Sequence, residues 1–211
     1  RLEVLGIYIF LLLFLYYLKT RRFRNLVVCF SCLLCLGIYH TVMRWYDRPC
    51  PSLVFYNVRG CPAIHCIAED GTSWLNYADT LSDKRRLQAV AANYWRRHQL
   101  LPPIEVTADC QNVDFCRHQQ IVFYHGCRIC MVTDNRWRNK SAASPLFINY
   151  MYLCKGYNGR LEELTGLFSP SCILLDASLS DDRKQFFREE CKRLHLHFIT
   201  LSEEGSVRFL L

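Results

Sequence analysis

Two long runs without charge open the chain, Val4 to Leu18 and Leu26 to Met43. Neither carries a polar stripe, and a helix that is apolar all round needs apolar surroundings. The second run is long enough to cross a bilayer core and the first marginally so, since a span takes about 17 to 25 residues. Tyr8, Tyr16, Tyr17, Tyr39, Trp45 and Tyr46 supply aromatics suited to a membrane interface. The pattern predicts a transmembrane helical hairpin over residues 1–46, against the alternative of two core helices in a soluble protein. Two such runs argue against a cleaved signal peptide, and a chain opening on Arg1 reads as a piece of a longer one.

Residues 47–52 form a linker whose Pro49 and Pro51 cannot extend a helix. From residue 53 the period changes. Leu53 to Val58, Ala63 to Ile67 and Ser73 to Tyr77 read as strands, the last two joined by a turn at Glu69-Asp70-Gly71. Asp83 to His98 reads as a helix capped by Ser82, with Leu87, Val90, Ala91, Tyr94 and Trp95 on one face. Ile121 to Tyr124 and Cys127 to Thr133 form a hairpin about His125-Gly126, and Ile148 to Cys154 is a further strand. A short helix over Arg160 to Phe168 and a strand at Ile173 to Leu175 follow. Asp181 to Leu196 is a helix with an acidic first turn, and strands at His197 to Leu201 and Ser206 to Leu211 close the chain. Strands dominate the first half and alternate with helices in the second, which by physics alone gives an α/β domain with a mixed sheet over 53–211.

At 211 residues and 51% hydrophobic, the chain has room for one sizeable core beside the hairpin. Charge bears on orientation more than on partners. Residues 1–48 hold seven Lys/Arg against two Asp/Glu, so most of the net +7 is juxtamembrane. Lys19, Arg21, Arg22 and Arg24 crowd the loop between the runs, whereas Arg44 and Arg48 with Asp47 follow the second. The positive-inside rule then predicts that loop in the cytoplasm and the domain outside the cytoplasmic membrane. Of thirteen cysteines, Cys29, Cys32 and Cys35 fall in the second run, and the rest fit no small disulfide framework. Cys127 and Cys130 stand three apart in an alternating strand, which puts their thiols on opposite faces rather than together as a redox or zinc pair.

Three blocks carry a resemblance. They are SLVFYNVRGCPAIHCIAEDGTSWLNYADT (Ser52 to Thr80), QQIVFYHGCRICMVTDN (Gln119 to Asn135) with YLCKGYNG (Tyr152 to Gly159), and the tail from Cys172 to Leu211. In order and spacing they resemble the C-terminal metallo-β-lactamase-like domain of the ComEC family of DNA-internalisation competence proteins, over about three quarters of the chain. The resemblance implies a four-layer αββα sandwich. It also implies a preceding membrane channel domain, of which the hairpin would be the end.

The family's metal signature, HxHxDH, does not occur in this chain. Asp79 matches the Asp that closes the family's early strand, Asp134 matches the bridging Asp, and Tyr157-Asn158-Gly159 stands where the family has HHG. Asn57 and Arg59 replace an Asp and a Gly of DVGQGD. A transition metal needs three or four donors at about 2 Å in fixed geometry, and these remnants do not supply them. These departures from the family's pattern imply a degenerate domain with no catalytic residue, no metal and no cofactor; Asp79, Asp134 and Asp176 read either as strand-end residues capping loops or as a residual carboxylate cluster at the rim of the old site. His195-x-His197 straddles a helix end, and His65, His98, His118 and His125 are scattered. No GxSxG, Walker or dinucleotide motif is present.

Arg136, Trp137, Arg138 and Lys140 put three cations around an indole just past Asp134, and Lys155 ends the next strand. Such a set can hold single-stranded DNA by phosphate contact and base stacking, or it can be a solvated loop whose Trp packs down. Lys84-Arg85-Arg86 and Arg96-Arg97 read as the wet face of their helix. By resemblance the partners are single-stranded DNA, the lipid bilayer and the rest of the channel domain. Two other readings stay open: a metal-dependent phosphodiesterase with a divergent carboxylate site, and a structural membrane-tethered domain without a DNA role.

Overall fold

A computed structural model describes residues 2–21, 23–46, 50–78, 84–98, 100–112 and 114–211. Asp79 and the expected cap Ser82 lie outside the described residues. The chain divides into two compact units, Arg1–Arg48 and Pro49–Leu211. In the first, α1 (Leu2–Thr20) turns at Arg21, whose φ of 48° is left-handed, into α2 (Phe23–Tyr46). The two pack closely at Gly6, where a Cβ would run into the Leu36 side chain. Among the described residues, one helix is long and apolar enough to cross a membrane, Phe23–Val42; the other apolar stretch, Gly6–Thr20, is shorter.

The second unit is mixed α+β with two sheets. In the first, β1 (Ser52–Phe55), β2 (Ala63–Ile67), β3 (Ser73–Tyr77), β4 (Ile104–Val106) and the final strand β12 (Val207–Leu210) lie in the order β12-β1-β2-β3-β4. The second holds β5 (Cys110–Gln111), β6 (Phe115–His118), β7 (Ile121–Tyr124), β8 (Cys127–Val132), β9 (Leu146–Leu153), β10 (Phe168–Leu175) and β11 (Phe198–Thr200), running from β11 at one edge to β5 at the other. Its helices are α3 (Lys84–Arg97), α4 (Leu161–Thr165), α5 (Asp181–Arg193) and α6 (Leu201–Glu204).

Alternation along the strands sorts the apolar side chains into three clusters. Leu53, Phe55, Ile64, Cys66 and Trp74 of the first sheet meet Val122, Ile129, Met131, Tyr152 and Leu174 of the second across one shared core. Residues of opposite parity, Val54, Ala63, Ile67 and Leu75, pack with Leu87 and Ala91 of α3. On the far side of the second sheet, Cys130, Val132, Met151, Leu153 and Ile173 pack with Leu161 and Leu164 of α4 and Phe187 of α5. Cys127 packs against the shared core and Cys130 in the outer cluster, the opposite faces that their spacing predicts. Burial of the fully enclosed aromatics Phe55, Tyr124 and Tyr152 is worth roughly 2 to 3 kcal/mol each in removed apolar surface.

Element limits shift where local chemistry competes. The hairpin at His125-Gly126 forms as expected, since both residues take positive φ, 44° and 76°, as a type I′ turn requires. β4, β5 and β6 are only two to four residues long, too short to show an alternating pattern, and are absent from the expected elements. β10 begins at Phe168, earlier than expected. Pro170 falls where β10 pairs with β9 alone, a position that tolerates a missing N–H. The expected short helix therefore ends at Thr165, and the helix that begins at Asp181 ends at Arg193. Val90 is 55% exposed, on the flank of α3 rather than its buried face. Leu201 starts α6 instead of ending a strand.

Candidate functional site

β8, β9 and β10 run parallel, so their C-terminal ends meet at one edge of the second sheet. That is where crevices form in parallel sheets. The turns after them are tied together. Asn158 N–H donates to Asn135 Oδ1 at 2.8 Å, and Gly156, at φ 119°, passes so close to the Thr133 carbonyl that a Cβ would collide with it. The β1–β2 loop reaches the same edge, where Gly60 N–H donates to Ser178 Oγ at 2.7 Å. The end of β3 joins it, with Ala78 N–H bonded to the Pro62 carbonyl. Between the two sheets at this edge is a cleft of about 200 Å³, lined by Ala78, Thr107, Asp109, Arg117, Gln120, Thr133 and Arg136 among others.

Asp134 stands at the lip. Its Oδ1 accepts from Arg136 N and Nε, each at 3.0 Å, and its Oδ2 accepts from Arg136 Nε at 3.0 Å and Nη2 at 2.8 Å. Partial burial pushes the carboxyl up, but the side-chain and backbone bonds from Arg136, its charge and a bond from Gln120 together outweigh this and hold it below its ordinary value. Behind it, Gln120 donates to Thr133 Oγ1 at 2.6 Å and accepts from the Trp137 indole at 2.5 Å. Arg117 is spent on Asn76 Oδ1 at 2.7 Å and on the carbonyls of Val106 and Gln119. Burial lowers its pKa.

The other residues singled out in the sequence are placed as follows. Tyr157 is buried, stacks on Phe187 and donates to the Arg160 carbonyl at 2.7 Å, so its phenol faces the outer core and not the cleft. Asn158 reaches the neighbouring turn through its backbone. Asp176 is fully buried, with Oδ1 on the Tyr152 hydroxyl at 2.5 Å and Oδ2 on Ser178 N at 2.8 Å, and burial raises its pKa. Trp137 packs edge-on against Phe168, 5.1 Å between centroids, with Lys140 Nζ 5.3 Å over its ring. The indole is thus a half-buried support for the loop rather than an open stacking surface. Arg138 pairs with Glu163 at 3.4 Å, and Lys140 and Lys155 are exposed. His195 takes a left-handed φ of 53° at the exit of α5, and His197 lies against Cys172, so the two rings do not share an extended strand.

Arg117, Gln120, Thr133 and Asp109 were not singled out in the sequence. They come from the polar stretch 104–120 and from a strand end, where neither periodicity nor motif marks them.

The metallo-β-lactamase-like resemblance implies a metal centre at this edge, and the described residues do not fit one. No group of three His, Cys, Asp or Glu side chains among them converges. Asp134 at the lip is engaged by a guanidinium, and Asp109 in the lining accepts from the Gln119 N–H at 2.7 Å and lies 3.3 Å from His118 Nδ1. None of the buried polar atoms that lack a partner belongs to a residue lining the cleft.

These features define a class: a mixed α+β domain of two facing sheets with a polar cleft at its strand ends, preceded in the chain by a unit holding a helix long and apolar enough to cross a membrane. A family model for the ComEC C-terminal domain matches residues 53–211, and the chain belongs to that family. It is accordingly a relative of membrane-associated competence proteins of DNA uptake. Among curated proteins and among solved structures, none matches it.

Proposed function

We propose that the chain is the C-terminal part of a ComEC-like membrane protein that takes up single-stranded DNA. In this reading residues 53–211 form a degenerate metallo-β-lactamase-like αββα sandwich without metal or catalysis. The domain then handles the strand as an accessory and does not cleave it. The observation that carries the reading is the lip of the cleft, where a guanidinium occupies the carboxylate that a hydrolase would give to a metal. The hairpin would supply the final spans of a multi-pass protein, with the basic loop in the cytoplasm and the domain outside.

Phosphate contacts fall to Arg138, Lys140 and Lys155, because the Arg136 side chain is held on Asp134 at 2.8 to 3.0 Å whereas Arg138 makes a single, longer contact with Glu163 at 3.4 Å. Binding of this kind is weak, sequence-independent and steeply salt-sensitive. The test is anisotropy of a labelled single strand against the full chain in nanodiscs at several salt concentrations, with a nuclease assay in Mn²⁺ or Mg²⁺ alongside. Replacing the three cations by Ala should lower the slope of log K against log salt by up to about 0.7 per lost contact. Chelator-sensitive cleavage would establish the phosphodiesterase instead, and an unchanged slope would leave a structural domain.

A further inference from the structure

We infer that Arg136 acts as a tethered cation in the place of a metal, holding the Asp134 carboxylate and closing the cleft to divalent ions. The inference rests on the reading of the domain as a degenerate relative of metal-dependent hydrolases. Asp134 lies two residues past β8, the middle strand of the seven-stranded sheet, next to the turn after β9, as a ligand shared by loops from several strands would. There its two oxygens receive the Arg136 side chain through Nε and Nη2 and the Arg136 backbone N–H as well. A carboxylate offers about four lone-pair sites, and this fork with its backbone partner occupies them from one side.

Three properties make the guanidinium a substitute rather than a passing ion pair. It is two residues from the carboxylate, so its effective concentration is set by a short tether and free ions compete poorly. It keeps its charge at every physiological pH. Its planar fork matches the carboxylate, where a lysine would give only a point charge. Among the described residues, Tyr157 turns into the outer core, Asp176 is held by Tyr152 and Ser178, and Asp109 in the cleft lining accepts from the Gln119 N–H and lies 3.3 Å from His118 Nδ1. Lone carboxylates bind Mg²⁺ or Mn²⁺ with several waters retained, so removing the fork should expose a weak site of that type.

The experiment measures free Mn²⁺ by its electron paramagnetic resonance signal while MnCl₂ is titrated into the full chain in detergent. Wild type, D134N, R136Q and D134N/R136Q are compared. Wild type and D134N should give superposable isotherms. R136Q should take up Mn²⁺ about fivefold more tightly, the scale of one well-formed exposed ion pair. The double variant should lose that gain. Asp134-dependent uptake by the wild type overturns the inference, and so does an R136Q isotherm no tighter than wild type. Should R136Q fail to fold, R136K keeps the charge without the fork and gives the same comparison at smaller amplitude. Single-strand binding is a separate readout, so failure of the DNA reading leaves the Mn²⁺ comparison standing.

Discussion

His65 makes this domain acid-sensitive, and the sensitivity is removable. The residue lies in β2 on the face covered by α3, with none of its surface exposed. The Trp95 indole donates to the Tyr56 hydroxyl at 2.9 Å, and that hydroxyl bonds His65 Nδ1 at 2.8 Å. Since the phenol proton then points at Nδ1, the imidazole proton sits on Nε2, which has no partner. Burial pushes the pKa down from 6.5 to about 3, because nothing nearby solvates the imidazolium. An unfolded chain protonates His65 near pH 6.5 while the folded one does not. Stability is therefore complete above that pH and declines as pH falls from 6.5 toward 3.

One such proton costs about 1.4 kcal/mol per pH unit in that window, or about 2.7 kcal/mol between pH 7.5 and 4.5. Replacing His65 by Leu removes the titration and the orphaned N–H, and deprives the Tyr56 hydroxyl of an acceptor at a cost of about 1 to 3 kcal/mol. The assay is denaturant unfolding of both proteins in detergent at pH 7.5, 6.0 and 4.5, followed by tryptophan fluorescence. The expected result is a variant less stable at pH 7.5 whose deficit shrinks or reverses by pH 4.5, through a differential of about 2.7 kcal/mol. His98, also lowered by burial, cancels in the comparison. Equal pH dependence in the two proteins would refute the argument.

Two other substitutions or fusions bear on the fold and its setting. Gly156→Ala should destabilise by more than about 1 kcal/mol, because φ 119° and the Thr133 carbonyl both oppose a Cβ; an unchanged melting temperature would show that the turn relaxes freely. Reporter fusions at Arg22 and at Pro51 should give opposite topology signals if the basic loop is cytoplasmic, and cytoplasmic signal at both would contradict the hairpin.

The sheets were legible where the chain alternates. Leu53 to Phe55, Ala63 to Ile67 and Cys127 to Val132 each put one parity into the shared core and the other under a helix, whereas Ile121 to Tyr124 puts Val122 and Tyr124 into the core and leaves Phe123 exposed. The stretch 104–118 was not, because its strands are only two to four residues long: β4 pairs with the distant β3, while β5 and β6 pair locally in ladders too short to show an alternating pattern. Trp137 shows the same limit at the site. Next to two arginines it reads as a stacking platform, yet its indole N–H finds Gln120 and its ring finds Phe168, partners fixed only once β7 and β10 are aligned.

In the reading proposed above, a retained fold and an altered site follow from one separation of roles. Side chains that pack the sheets alternate along the strands, while Thr107, Asp109, Gln120, Thr133, Asp134 and Arg136 sit one to four residues past strand ends, in turns that contribute little to the core. Changing Asp or His there to Asn, Tyr or Arg leaves Leu53, Ile129, Tyr152 and Leu174 in contact. A bare carboxylate is harder to leave behind. Asp134 lies 44% exposed at the end of a buried strand, and the turn that follows brings Arg136 back onto it. An ordinary exposed pair is worth only about 0 to 1 kcal/mol. The pair at Asp134 is therefore better understood as fixing the charge state of the cleft than as holding up the domain. R136Q should accordingly melt within a few degrees of wild type while changing what the cleft binds.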